Sequence, residues 1–280
     1  MLGPPPVEIG LRSNMIERIE RLDDTRIAAY RDVPDPELVR SRGLFIAEGR
    51  FVVRRVIEDS RWHVQSVLVS DAARRSLQPA LDAIAHRVPV YVCAAADFPG
   101  VTGYNIHRGC LALVKRPAAL SPETLVETAR TIAVLEGLTN ADNVGGIFRN
   151  AAAFGVDGVL LSPTCCDPFY RKAIRTSMAS VLRVPFARAD AWPEELLRLR
   201  ADGFTIAALT PREPSETLTA FAADARPERI ALVVGTEGTG LTAAVEALAD
   251  RRVRIPIADG VDSLNVAVAV GIALYAMTRR

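Results

Sequence analysis

Ile255-Pro-Ile-Ala-Asp-Gly-Val-Asp-Ser263-Leu264-Asn265-Val-Ala-Val-Ala269 carries the strongest structural signal in this chain. It opens the apolar segment Leu264–Met277, which is shorter than the roughly 20 residues that span a bilayer and therefore predicts a helix packed in a globular domain. Ser263 stands just before this helix, where a hydroxyl can cap it. Asn265 lies in the first apolar turn, where a side-chain amide must find polar partners. Capping explains the serine better than the asparagine.

Two upstream segments also combine polar residues with glycines. Asn140-Ala-Asp-Asn143-Val-Gly-Gly-Ile-Phe-Arg149 begins a predicted helix, and Val233-Val-Gly235-Thr-Glu237-Gly-Thr-Gly-Leu241 follows the apolar strand Ile230–Val234. Glycines let a backbone approach a ligand closely, and ligands of open α/β sheets lie beyond the carboxyl ends of strands. The second segment therefore predicts either a ligand loop or a plain strand-to-helix turn. It has neither the Walker lysine nor the dinucleotide spacing.

Alternating short β-branched runs and amphipathic stretches predict two α/β domains. The boundaries are an extension over 1–40 with a loose tail and a short helix, a small domain over 41–115, a linker and helix over 116–130, and a larger domain over 131–280. Ser121 can cap the linker helix with Pro122 at its first position. In the last segment strand and helix alternate regularly, which predicts a parallel sheet covered on both faces.

Composition excludes several classes of protein. The chain of 280 residues is 49% hydrophobic with a net charge of +1, so it has a proper core and no overall nucleic-acid signature. The only basic excess is in residues 41–115, with ten Lys/Arg against six Asp/Glu. The four cysteines form no CxxC pair, and the three histidines lack metal-ligand spacing, which predicts free thiols in a reducing cytoplasm and no metal site. No secretory signal is visible at the amino terminus.

Several polar residues have both a structural and a functional interpretation. Asn143 could cap its helix, and Arg149 at the edge of an apolar face needs either a carboxylate or a phosphate partner. Glu237 is either a solvated loop residue or the anchor of a polar partner. Cations at Arg171 and Lys172, and in the smaller domain at Arg50 and Arg108, suit either a solvated surface or phosphate contacts.

Together the three segments resemble the signature of the SpoU/TrmH RNA 2'-O-ribose methyltransferases of the SPOUT superfamily. The resemblance implies that 131–280 is a SPOUT domain with a parallel sheet and a deep trefoil knot. The segments Leu44-Phe-Ile-Ala-Glu48-Gly49 and Gly103-Tyr-Asn-Ile-His-Arg108-Gly109 are similar to the L30e-like RNA-binding domain that precedes it in many members. The resemblance also implies a homodimer whose two knotted domains meet, which would suit the apolar last helix.

The same resemblance implies methyl transfer from S-adenosylmethionine to a ribose 2'-hydroxyl in RNA, rRNA more than tRNA. The residues that it assigns are Leu209, Gly235, Ile255 and Leu264 for the donor, Arg149, Asn143, Glu237, Ser263 and Asn265 for catalysis, and Arg50, Arg108, Arg171, Lys172 and Ser177 for RNA. Since an arginine does not release its proton in a protein, Arg149 is better interpreted as a phosphate clamp than as a base.

One departure from the family pattern concerns Ser177-Met-Ala179-Ser180, where members often have Ser-x-Gly-Ala. Ala179 would alter the RNA side of the pocket if that position required a left-handed backbone. Two other functions compete with RNA methylation. One is an RNA-binding or ribosome-associated protein that kept the fold without catalysis, and the other is a small-molecule enzyme that holds a nucleotide in the Gly235–Gly240 loop.

Overall fold

The structure is a computed structural model that describes residues 15–31, 33–102, 109–223 and 227–278. The chain divides into two compact units, Met1–Lys115 and Arg116–Arg280. Among the described residues, no helix has the length and apolar character needed to cross a bilayer. Each unit has its own sheet.

The first unit is a mixed sheet with helices. Its sheet has the order β1-β4-β3-β5-β2, in which β1, β4 and β3 run parallel and β5 runs antiparallel to both of its neighbours. Helix α1 buries the apolar stripe Val52, Val53, Val56 and Ile57, as expected for a surface helix. In chain order the elements are β1 (Ile16–Arg18), β2 (Leu44–Glu48), α1 (Arg50–Glu58), β3 (Val64–Ser70), α2 (Asp71–Ile84), β4 (Val90–Cys93), α3 (Phe98–Thr102) and β5 (Cys110–Lys115).

Part of the extension predicted over 1–40 belongs to this first unit, which corrects the predicted boundary. Strand β1 pairs with β4, with Ile16 opposite Val90, and a 3-10 turn over Thr25–Tyr30 stands where a short helix was expected. Ile27 and Tyr30 are fully buried, and the Tyr30 hydroxyl lies 2.7 Å from Ser66 Oγ. A strand of three residues is too short to show an alternation of apolar and polar residues. The sequence pattern therefore did not predict it within its charged surroundings.

The second unit has a parallel sheet of the order β10-β12-β9-β11-β6-β7-β8 in its described residues, which confirms the predicted parallel α/β architecture. Its elements are α4 (Pro122–Val126), β6 (Thr131–Leu135), α5 (Ala141–Phe154), β7 (Gly158–Leu161), α6 (Arg171–Thr176), β8 (Phe186–Arg188), α7 (Glu195–Ala201), β9 (Thr205–Leu209), β10 (Glu216–Thr217), α8 (Leu218–Ala223), β11 (Ile230–Val234), α9 (Ala243–Ala247), β12 (Arg251–Arg254) and α10 (Val266–Thr278).

The core of the second unit lies around β6 and β11, whose residues are buried throughout. They pair in register from Ile230 opposite Thr131 to Val234 opposite Leu135. Because all strands are parallel, the loops after β6, β9, β11 and β12 emerge at the same edge of the sheet. That edge is where ligands of open parallel sheets lie.

Local signals set several boundaries. Ser121 Oγ accepts from Thr124 N with Pro122 at the first helical position, which confirms the predicted start of α4. Strand β12 begins at Arg251, which pairs with β9 and contacts Glu216 of β10 through its Nε at 2.5 Å. Helix α10 begins at Val266, two residues later than the predicted Leu264.

Candidate functional site

The loop that leaves β11 is folded tightly on itself. Thr236 N donates to Gly240 O at 3.2 Å, and Gly240 N donates back to Thr236 O at 3.0 Å. A Cβ built on Gly235 would lie 2.3 Å from the carbonyl carbon of Gly240, a distance that no side chain tolerates. Glycine at 235 is therefore required by the close approach of two backbone segments.

A cavity of about 470 Å³ lies at the carboxyl edge of the sheet, between the loops that follow β9, β11 and β12. The structure brings all four predicted donor-binding residues, Leu209, Gly235, Ile255 and Leu264, to the wall of this one cavity. Glu237 and Ser263 also line it. Three loops that are far apart in the sequence therefore form a single pocket, whose volume is in the range of about 300–1,000 Å³ that is usual for small-molecule sites.

Asn265 joins three elements beside this cavity. Its Nδ2 donates to Asn143 Oδ1 at 2.9 Å and to Glu237 Oε1 at 2.8 Å. Its Oδ1 accepts from Ala267 N at 3.0 Å and from Val268 N at 3.2 Å, so Asn265 caps α10. The prediction that Ser263 provides the cap is wrong, because the helix begins two residues later than the apolar pattern indicates.

Asn143 is a buried member of the same network. Asn140 caps α5 by accepting from Asp142 N at 2.9 Å, so the interpretation of Asn143 as the helix cap is wrong. Asn143 is 5% exposed and lies inside the first turns of α5. Its side-chain oxygen accepts from Asn265, and among the described residues its amide nitrogen donates to no protein atom. That nitrogen remains available to a ligand.

Arg149 lies further along the same helix, and it does not line the cavity. Six residues of α-helix separate it from Asn143, a rise of about 9 Å. Its exposed side chain lines an open groove between α5 and α10, together with Thr176, Ala267 and Ile272. Within the described part of the chain its guanidinium has no carboxylate partner, so the structure does not support the interpretation as a structural ion pair. A free guanidinium at this position suits a phosphate.

Helix α6 places a cation next to this network. Lys172 Nζ lies 2.7 Å from Asp142 Oδ2, and Thr176 Oγ1 donates to Asp142 Oδ1 at 2.9 Å. The hydrogen bond from Lys172 holds the pKa of the Asp142 carboxyl below its usual range. Arg171 is half-buried at the start of the helix. Both cations lie on the first turn of a helix that packs against α5.

Ser177 does not suit the predicted role as an RNA contact. It is fully buried, and its hydroxyl donates to Ile174 O at 2.9 Å. The prediction is corrected because a serine that closes the last turn of α6 cannot reach a ligand. Ala179 nearby has φ of +64°, so the position where the family often has glycine does require a left-handed backbone in this chain.

In the first unit, Arg50 begins α1, and Arg108 lies outside the described residues. Sequence reasoning missed Phe51, an apolar ring that is 47% exposed on the same helix. The guanidinium of Arg55 lies over this ring, 5.1 Å from its centroid. The sequence does contain a signal for this exposed ring, because Phe51 precedes the buried stripe of an amphipathic helix and must face outwards.

Sequence reasoning also missed Arg212, which holds the glycine loop from behind. Its Nη1 donates to Leu241 O at 3.0 Å, and its Nη2 donates to Thr239 O at 2.6 Å. The buried carboxylate of Glu246 lies 3.3 Å from the same Nη1. Arg212 is far from this loop in the sequence, and no motif connects the two.

Among the described residues, no group of three or more His, Cys, Asp or Glu side chains could hold a metal ion.

Comparisons with known proteins find relatives that match nearly the whole chain. The chain is 42% identical over 261 residues to an uncharacterized tRNA/rRNA methyltransferase of Mycobacterium bovis, covering 92% of this chain and 90% of the relative. It is 26% identical to the 23S rRNA (guanosine(2553)-2'-O)-methyltransferase RlmP of Bacillus subtilis, covering 93% of this chain and 98% of that protein. Both relatives are matched over nearly their whole length.

A solved structure shows the same fold. The AdoMet-bound rRNA methyltransferase of Sinorhizobium meliloti superimposes with a TM-score of 0.78 at 22% identity, covering 94% of this chain and 97% of that chain. Residues 130–275, which include the glycine loop, both asparagines and Arg149, match the model of the SpoU rRNA Methylase family. By this match and by the identity to its relatives, the chain belongs to the SpoU rRNA methylase family.

Proposed function

We propose that this protein transfers a methyl group from S-adenosylmethionine to a ribose 2'-hydroxyl of RNA. The observation that carries the proposal is the single cavity formed by Leu209, Gly235, Ile255 and Leu264, with the Asn143–Asn265–Glu237 network at its rim. A donor site and a set of polar groups for an acceptor are thus adjacent. The Bacillus subtilis relative, matched over nearly its whole length, is named for 2'-O-methylation of 23S rRNA.

The cavity suits the proposed donor. Its volume of about 470 Å³ and its wall of apolar side chains and strand-end backbone are suited to a nucleoside with a flexible tail. The turn at Gly235 brings two backbone segments together at the wall, and Arg212 fixes the loop through its carbonyls. When bound, S-adenosylmethionine supplies an electrophilic methyl group, so the protein needs no covalent intermediate of its own.

The polar residues position the acceptor in this proposal. Asn265 uses both hydrogens of its amide within the protein, so it fixes Asn143 and Glu237. Asn143 can then donate its free amide N–H to a ribose oxygen. Arg149 holds a phosphate of the RNA backbone and stabilises the negative charge that develops on the 2'-oxygen, because oriented donors act best when little reorganisation is needed. Ser263 at the cavity wall is a further donor near the acceptor.

Finer features accompany this proposal. The family model and the Bacillus subtilis relative are both named for rRNA, which favours rRNA over tRNA as the substrate. The first unit would act as an L30e-like RNA-binding domain through Arg50 and Arg108, while Arg171 and Lys172 contact RNA from the second unit. Four free cysteines suit a cytoplasmic protein. The loops around the cavity would form a trefoil knot, and α10, with Val268, Ile272 and Tyr275 exposed, would join two copies.

The test uses labelled S-adenosylmethionine and total RNA with the full-length protein. Label in alkali-resistant internucleotide linkages is expected, and label on bases would refute ribose methylation. Arg149→Ala should lower turnover by about a hundredfold or more while donor affinity, measured by calorimetry, changes less than twofold. Arg130→Ala is the matched control, because Arg130 is an exposed arginine at the opposite, amino-terminal edge of the sheet.

A further inference from the structure

We propose that the donor cavity selects by charge, and that Asp262 with Glu237 makes it prefer the cationic methyl donor over the neutral product. Of the sixteen described residues that line the cavity, Glu237 and Asp262 are the only ones with ionisable side chains, and both are acidic. The wall therefore carries two negative charges and no positive one. This inference rests on the donor part of the proposed function and is independent of the RNA acceptor.

Neighbouring arginines weaken this field but do not reverse it, because none lines the cavity and each is paired with a carboxylate outside it, Arg212 and Arg252 sharing that of Glu246. Arg212 Nη1 lies 3.3 Å from Glu246 Oε1 and also donates to loop carbonyls. Arg254 Nη1 lies 2.9 Å from Glu213 Oε1, and Arg252 pairs with Glu246. The carboxylates of Glu237 and Asp262 have no such cationic partner among the described residues. Within the described ranges, Glu237 accepts a hydrogen bond only from the neutral amide of Asn265.

The chemistry of the reaction makes this charge informative. S-adenosylmethionine carries a sulfonium cation, an ammonium and a carboxylate, for a net charge of +1. After the methyl group leaves with its bond to sulfur broken, the sulfur keeps the electron pair, and S-adenosylhomocysteine has a net charge of zero. The two molecules otherwise present the same groups to the wall. A negative wall therefore attracts the donor more than the product, and the attraction disappears when the transfer is complete.

The expected effect is modest, because both carboxylates are exposed to water. Exposed charge pairs change affinity by factors of roughly two to five, and salt weakens them further. A factor of this size still decides which of the two ligands occupies the cavity when donor and product are present at similar concentrations. Charge selection thus reduces product inhibition without any contact that distinguishes a methyl group by its shape.

The test is calorimetry on the full-length protein without RNA, using three ligands. Two of them are cationic at the reacting centre: S-adenosylmethionine and its analogue sinefungin, which carries a protonated amine in place of the sulfonium methyl. The third, S-adenosylhomocysteine, is neutral at that centre. Asp262→Asn should raise the Kd of both cationic ligands by about threefold and leave the Kd of S-adenosylhomocysteine unchanged. In the wild type, higher ionic strength should weaken the binding of the two cationic ligands more than the binding of S-adenosylhomocysteine.

Asp259→Asn is the matched control. Asp259 is equally an exposed aspartate of the same loop, and it does not line the cavity. The control should leave all three Kd values within error of the wild type. An equal loss for donor and product in Asp262→Asn, or equal effects of the two substitutions, would overturn charge selection. Failure of the wild type to bind any of the three ligands would refute the proposed function instead.

Discussion

Asn265 shows at the scale of one residue how a side chain combines a structural with a functional role. Its oxygen caps α10, while its nitrogen holds Asn143 and Glu237. The apolar pattern correctly predicted that this amide needs partners. It could not predict the cap, because the identity of a capping residue depends on where the helix begins, and a helix that starts at Val266 gives the cap to the residue before it.

Two substitutions of Asn265 separate these roles. Asn265→Ser keeps an oxygen that can cap the helix and removes the amide nitrogen, whereas Asn265→Ala removes both. We expect both variants to lose turnover to a similar extent, while the alanine variant is less stable than the serine variant by about 1 kcal/mol. Urea denaturation and methylation assays measure the two effects. Near wild-type turnover in Asn265→Ser would show that the bridge to Asn143 and Glu237 is dispensable.

Ala179 is a second residue whose backbone decides its energetics. With φ of +64° it has a left-handed conformation, which costs an alanine about 1–2 kcal/mol relative to a right-handed one. Glycine would remove that strain. It would also lose a buried methyl group worth about 0.8 kcal/mol and add about 0.5–1 kcal/mol of chain entropy in the unfolded state. These contributions nearly cancel.

Ala179→Gly should therefore change the free energy of unfolding by less than about 1 kcal/mol in either direction. Ala173→Gly is the control, since Ala173 is equally buried but lies in the right-handed helix α6. It has no strain to relieve and should be destabilised by about 1.5 kcal/mol. Chemical denaturation of both variants measures the difference, and equal losses would show that Ala179 carries no strain.

At the scale of elements, long periodic segments were predictable and short ones were not. Strand β11 has the predicted bounds Ile230–Val234, because a continuous apolar run bounded by turn residues has few alternatives. Strands β8 and β10, of three and two residues, were missed. Elements of this length form because a neighbouring strand offers hydrogen bonds, and a single sequence does not reveal that neighbour.

We expect the outer face of helix α1 to bind RNA. Its outer face presents Phe51, the exposed Arg54 and the half-buried Arg55, a combination of aromatic ring and cations that suits an unpaired base with its phosphate. The double variant Arg54→Gln/Arg55→Gln should weaken RNA binding and reduce the slope of log affinity against log salt by about 1–2. Filter binding at several salt concentrations gives this slope.

Arg61→Gln is the control for that experiment. Arg61 is exposed in the same unit, but its guanidinium already lies 2.6 Å from Asp59, so it offers little free charge to a phosphate. Its removal should leave the salt dependence unchanged. If both variants reduce the slope equally, the effect belongs to the overall charge of the unit and not to the face of α1.

At the scale of the whole molecule, the sequence predicted which segments converge but not the space between them. The motifs named Gly235, Ile255 and Leu264, and the parallel order of β9, β11 and β12 explains why their exits meet at one edge. Only the structure shows that Arg212 and Asp262 belong to the site. The first acts on a loop 27 residues away, and the second is an ordinary loop carboxylate until the cavity beside it is known.

We expect the protein to assemble into a dimer through helix α10. Helix α10 exposes Val268, Ile272 and Tyr275, with exposed fractions of 51%, 39% and 49%, on the side that lines the groove of Arg149. Exposed apolar side chains that cluster on one helix indicate a surface that another protein covers. A second copy would bury this face beside Arg149, so dimerisation and catalysis should depend on the same residues.

Ile272→Glu should convert the protein from a dimer to a monomer, because a buried carboxylate without a partner is strongly disfavoured at an apolar interface. Sedimentation velocity at several protein concentrations measures the change, and turnover should fall together with the dimer fraction. Leu197→Glu is the matched control, since Leu197 is 47% exposed on α7 and lies in no part of the groove. A dimer that persists in Ile272→Glu, or that dissociates equally in Leu197→Glu, would place the interface elsewhere on the molecule.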